Sequence, residues 1–113
     1  MCAKAVLSEI TERVCAAAKE VLGGKLEKVV LFGSYARGDY REWSDIDIMI
    51  LADIQPEEVD ETRKKIRSFM NYIELEYDAI VSLSMVCCKN YYQYINVLPF
   101  YRNVQKEGVE LYA

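Results

Sequence analysis

The stretch from Asp45 to Ala52 alternates with the two-residue period of a β-strand, so that Ile46, Ile48 and Ile50 share one face while Asp45 and Asp47 lead the other. Such a strand must pack its isoleucines under another layer. It must also find partners for two carboxylates that point the same way, roughly 6 to 7 Å apart along the strand. Upstream, the β-branched and aromatic run Lys28-Val29-Val30-Leu31-Phe32 stops abruptly at Gly33-Ser34, as a buried strand entering a tight turn does. A polar loop through Gly38 to Ser44 joins the two strands.

Helices flank this pair. From Ala3 to Leu22 the apolar residues Val6, Leu7, Ile10, Val14, Ala17, Ala18 and Val21 recur at spacings of three and four, and Gly23-Gly24 stops the pattern. Pro56 at a first helical position, followed by Glu57 and Glu58, opens a second helix with Val59, Thr62, Ile66, Phe69, Met70 and Ile73 on its inner face. A third strand is expected at about Tyr77 to Leu83, centred on Ile80-Val81. Ser84 is a candidate N-cap, Pro99 to Lys106 with Gly108 reads as a short helix, and Val109 to Tyr112 reads as an edge strand. No repeat, low-complexity segment or linker divides the chain, so one α/β layer structure over residues 1–113 is expected, and 52% hydrophobic residues suffice for its core.

Charge and residue usage narrow the chemistry. A net charge of −4 argues against nonspecific attraction to nucleic acid or an anionic membrane, so an anionic substrate must arrive with cations. The apolar stretches are interrupted by charge too often to span a bilayer, and Lys4, Glu9, Glu12 and Arg13 interrupt any signal-peptide pattern; a cytoplasmic location is expected. Cys2, Cys15, Cys87 and Cys88 lack the spacing of a zinc ribbon or redox motif and read as reduced thiols, mostly buried. Histidine is absent. That removes Ser-His-Asp and Cys-His catalysis and the HExxH metal site, and leaves carboxylates as bases.

Two like charges side by side on one strand need cations or donors, and magnesium is the simplest supplier, because one or two carboxylates together with substrate phosphates typically hold it. Gly33 allows a close backbone approach, and the amides and hydroxyl around Ser34 suit phosphate oxygens. An anion-binding turn facing an acidic strand is what a metal-bound triphosphate requires. Arg37 adds a forked guanidinium as a phosphate contact or stands as a solvated loop charge. Trp43 and Tyr40 either stack near a nucleotide or pack back onto their own domain. The cluster Tyr91, Tyr92, Tyr94 and Tyr101 reads as core or partner surface, not as an RNA platform.

Gly33-Ser34, followed after ten residues by Asp45-Ile46-Asp47, resembles the pattern of the nucleotidyltransferase superfamily that includes DNA polymerase beta and kanamycin nucleotidyltransferase, and the longer forms Gly33-Ser34-Tyr35-Ala36-Arg37-Gly38 and Ser44-Asp45-Ile46-Asp47 resemble the Gly-Ser-x-Ala-x-Gly and Ser-Asp-x-Asp typical of its minimal branch. The match is firm from Val29 to Leu51 and looser through Ser84, and it looks most like the minimal nucleotidyltransferases, often antitoxins beside HEPN-domain toxins. The resemblance implies an α/β (α+β) fold, a small mixed sheet with helices packed on one side. It implies a third carboxylate on the next strand, where Asp78 fits the place and Glu74 and Glu76 are rivals. Asp45, Asp47 and Asp78 would then hold two magnesium ions, Gly33 and Ser34 the distal phosphates of ATP or another nucleoside triphosphate, and Asp78 would accept the hydroxyl proton. With about thirty residues after the third strand, the acceptor is expected largely from elsewhere, such as a tyrosine of a HEPN partner that receives AMP. A noncatalytic antitoxin that blocks its partner by contact is the alternative, a small-molecule acceptor is the lesser one, and a homo-oligomer is compatible with either.

Overall fold

A computed structural model of the chain describes residues 4–41 and 44–112. Helix α1 (Lys4–Leu22) leads into strand β1 (Leu26–Phe32), the one-turn helix α2 (Ser34–Arg37) and strand β2 (Ile46–Ala52). Helix α3 (Val59–Tyr77) then crosses to strand β3 (Val81–Cys87), and the short helices α4 (Cys88–Tyr94) and α5 (Pro99–Glu107) precede strand β4 (Val109–Tyr112). The sheet order is β3-β2-β1-β4. β1 runs antiparallel to β2 and to β4, whereas β2 and β3 are parallel, and a parallel pair needs the long crossover that α3 supplies. The sheet is therefore mixed.

The alternation on β2 decides how the layers stack. Ile46, Ile48 and Ile50 join Val29 and Leu31 of β1 in a core closed by Ile10 and Val14 of α1 and by Ile66, Met70 and Ile73 of α3. The opposite face carries a smaller cluster in which Val30, Met49, Leu51 and Val86 meet Tyr91 of α4 and Val104 of α5. The two long helices thus share one side, as expected, and α4 and α5 add a partial layer on the other. Asp45 and Asp47 belong to this second face, beside Phe32 and Ser82 in the register.

Three local expectations change. Helix α3 continues through Tyr77 where the third strand was expected to begin, and it ends when Asp78 adopts a left-handed conformation (φ 51°, ψ 48°) with its N–H bonded to Glu74 O. The start of β3 is set instead by Arg67, which donates to Val81 O (2.7 Å) and to Glu74 Oε1 (2.9 Å), while Glu74 Oε2 accepts the Val81 N–H (3.0 Å). Ser84 is no N-cap; it lies inside β3 opposite Met49, because Met85, Val86 and Cys87 carry the buried strand onward. Phe69, expected on the inner face of α3, is 52% exposed at the margin between α3 and α1.

Among the described residues Cys87 is buried and Cys15 and Cys88 are half-buried, all as free thiols, while Cys2 lies outside the described residues. No helix among them is long and apolar enough to cross a membrane. Ile48 is fully buried at the centre of the larger core. Ile48→Ala should therefore cost about 2 to 5 kcal/mol, read as a lower denaturation midpoint with an unchanged slope.

Candidate active site

The site begins with one register pair. Phe32, the last residue of β1, faces Asp47 of β2, so the chain leaving β1 passes directly over that carboxylate. Gly33 makes the passage feasible. Its φ of +75° lies where side chains are strained, and a Cβ built on it would overlap Asp47 Oδ2 and stand 3.1 Å from Asp47 Cγ.

The turn that follows is pinned at both ends. The N–H groups of Ala36 and Arg37 donate to Gly33 O, each at 3.1 Å, and those of Gly38 and Asp39 donate to Ser34 O at 2.9 and 3.1 Å. Gly38, with φ +88°, closes the turn in the left-handed region. At its leading end the Ser34 hydroxyl and amide sit where a helix leaves donors without intrahelical acceptors.

Opposite this turn stands α5, and between them lies a cleft of about 410 Å³. Phe32, Gly33, Ser34, Arg37 and Asp47 form one wall, and Phe100, Asn103 and Glu107 of α5 form the other. Arg37 spans the two, pairing with Asp39 (3.2 Å) and with Glu107 (3.6 Å). The hydrogen bond to Asp39, chiefly, raises the guanidinium further above its already high value, so Arg37 stays cationic.

Asp47 is half-buried, and that burial, reinforced by neighbouring Asp45, raises its carboxyl above the ordinary range, against an opposing pull from Arg37. Two adjacent acids, one disfavoured as an anion, are a place where a cation gains binding energy. Among the described residues no three His, Cys, Asp or Glu side chains gather closely enough to hold a metal by themselves. The donor set therefore fits magnesium that draws its remaining ligands from water and phosphate oxygens, and does not fit a cage built by protein alone.

The structure brings Gly33, Ser34, Arg37, Asp45 and Asp47 together and leaves Asp78 apart, exposed at the C-cap of α3. Glu74 is engaged by Arg67 and the Val81 amide, and Glu76 is paired with Arg13 of α1. Tyr40 stacks on Tyr35, with ring centroids 4.3 Å apart, and so packs back on its own turn, while Trp43 lies outside the described residues. Tyr91 is core and touches Tyr101, with 5.4 Å between centroids. The α5 wall was not foreseen. Pro99 and Gly108 marked the helix but carried no signal of what it faces.

The chain belongs to the nucleotidyltransferase domain family, whose model matches residues 7–110. It is accordingly a nucleotidyltransferase. It is 38% identical over 96 residues, 85% of this chain and 88% of the relative, to MJ0604 of Methanocaldococcus jannaschii, named as a candidate protein adenylyltransferase. A crystal structure described as a nucleotidyltransferase from Sulfolobus solfataricus superposes with a TM-score of 0.58 at 25% identity, covering 95% of this chain and 77% of that one. A toxin–antitoxin structure with AMP-PNP shares the fold, with a TM-score of 0.56 at 21% identity over 91% of this chain and 73% of that one.

The raised carboxyl of Asp47 has a consequence for stability. A group whose folded pKa exceeds its unfolded value favours the fold fully below the unfolded value, and that favour is lost as pH rises through the folded one. Asp47→Asn should thus stabilise the magnesium-free protein at pH 7, and the gain should vanish as pH falls below about 3.9, the ordinary aspartate value, in urea titrations at the two pH values. Gly33→Ala should cost on the order of 1 to 3 kcal/mol in the same assay, from the strained φ and the displaced Asp47.

Proposed function

We propose that this protein transfers AMP from ATP to a hydroxyl of a protein partner, a tyrosine of a HEPN-type toxin, with Asp45 and Asp47 holding magnesium on the triphosphate. The observation that carries the reading is the approach of Gly33 to Asp47, which puts the Ser34 turn and Asp47 in one cleft, with Asp45 close enough to act on the Asp47 carboxyl. The name of the archaeal relative and the nucleotide in the toxin–antitoxin relative favour adenine and a protein acceptor.

Each side chain has a distinct part. Ser34 and the Gly33 backbone hold the distal phosphate oxygens, while Arg37, kept in place by Glu107, offers its fork to the same anion. Phe100 and Asn103 on α5 bound the cleft where the rest of the nucleotide must lie. When bound, magnesium offsets the charge of the triphosphate and that developing on the attacking and leaving oxygens in line at the α-phosphorus. The acceptor oxygen bonds to that phosphorus, the bond to the departing pyrophosphate breaks, and the hydroxyl proton passes to a carboxylate.

We assign that proton acceptor to Asp78, which lies outside the cleft at the end of α3, three residues before Val81, the register partner of Ile46, so the partner's hydroxyl must enter along that end of the sheet. Asp78→Asn separates this role from capping, because asparagine also tolerates the left-handed conformation. It should slow transfer about 100-fold or more with unchanged stability. For the reaction itself, the protein is incubated with labelled ATP, magnesium and a co-encoded helical partner. Label should reach a partner tyrosine, and Asp47→Ala should reduce it to background while folding and partner binding persist. Should Asp47→Ala still neutralise the partner completely, the partner is blocked by direct contact and not by AMP transfer.

A further inference from the structure

Helix α3 carries an apolar stripe that the fold leaves uncovered. Phe69 is 52% exposed, Tyr72 77% and Leu75 81%. Monomers commonly scatter such residues singly, but here they are neighbours on one helix, and Phe69 also borders a shallow groove floored by Ala16 and Ala17 of α1. A covering partner is implied.

Charge placement says which partner. Lys65, Phe69, Tyr72 and Glu76 follow one another at spacings of four, three and four, so they form a single row along the helix. The row is self-complementary. Phe69 and Tyr72 lie equally far from the point on the helix between residues 70 and 71, and so do Lys65 and Glu76. An antiparallel copy of the same helix, set on a two-fold axis at that point, therefore puts phenyl against phenol and ammonium against carboxylate, twice each. We propose that α3 is the two-fold interface of a homodimer, with Phe69 of one copy packed on Tyr72 of the other and Lys65 facing Glu76 across the seam.

Within one copy Lys65 already reaches Glu61 (4.0 Å) and Glu76 already pairs with Arg13. All four side chains are largely exposed, so exchanging those partners costs little. The rings supply the affinity and the charges fix the direction, parallel pairing being opposed by like charges in register. This interface lies on the helical side of the sheet away from Asp47, and it is independent of which acceptor the enzyme serves.

Sedimentation equilibrium of the full chain across a concentration series should show a monomer–dimer equilibrium. Tyr72→Lys should weaken it at least about ten-fold, as loss of a central ring does. Lys65→Glu and Glu76→Lys should each weaken it, and the double exchange Lys65→Glu with Glu76→Lys should restore it, a result that only antiparallel self-pairing gives. Thermal unfolding followed by circular dichroism confirms that each variant is folded. A protein that stays monomeric throughout, a dimer indifferent to Tyr72→Lys, or a double exchange that fails to rescue would overturn the proposal. So would a monomer that uses this face for a different protein.

Discussion

Everything at the site depends on a single close approach, that of the Gly33 backbone to the Asp47 carboxylate. The antiparallel register of β1 and β2 puts Phe32 opposite Asp47, and the next residue must turn over the acid with no side chain of its own. From that one contact follow the position of Ser34, the course of the short helix and the place where anion and cation can meet. The local cost is real, since burial beside Asp45 disfavours the ionised form of Asp47. The isoleucines on the other side of the same strand offset it by locking β2 into the larger core.

The two sheet faces divide the labour of fixing the strands and opening the site. Helices α1 and α3 bury one face continuously, which fixes the strands. The second face is only partly covered, and the opening left between α2 and α5 is the cleft. Arg37 joins the two sides of that opening through Asp39 and Glu107.

Much of this was legible in the residues. The strand that carries Asp47 and the turn at Gly33-Ser34 were readable because strand alternation and glycine conformation are local rules, legible over a few residues. The strand at Val109–Tyr112 and the helix opening at Pro99 were likewise readable from punctuation. What escaped depends on tertiary contacts. Whether the chain near Tyr77 is helix or strand is decided by Arg67 bridging Glu74 and Val81, a clamp with no sequence signature. The cleft wall on α5 is set by how β4 returns to β1, and Phe69 looked internal because its helical spacing does not reveal where the neighbouring helix ends.

Gly108 sits so tightly between Val104 O and the Val30 side chain that a Cβ there would have no room, and straight after it Val109 pairs with Leu31, one residue before Phe32. The far wall of the cleft is therefore hinged to the very strand that delivers the Gly33 turn. Its width is governed by an edge-strand pairing, so whatever peels β4 from β1 would open the cleft without touching either acid.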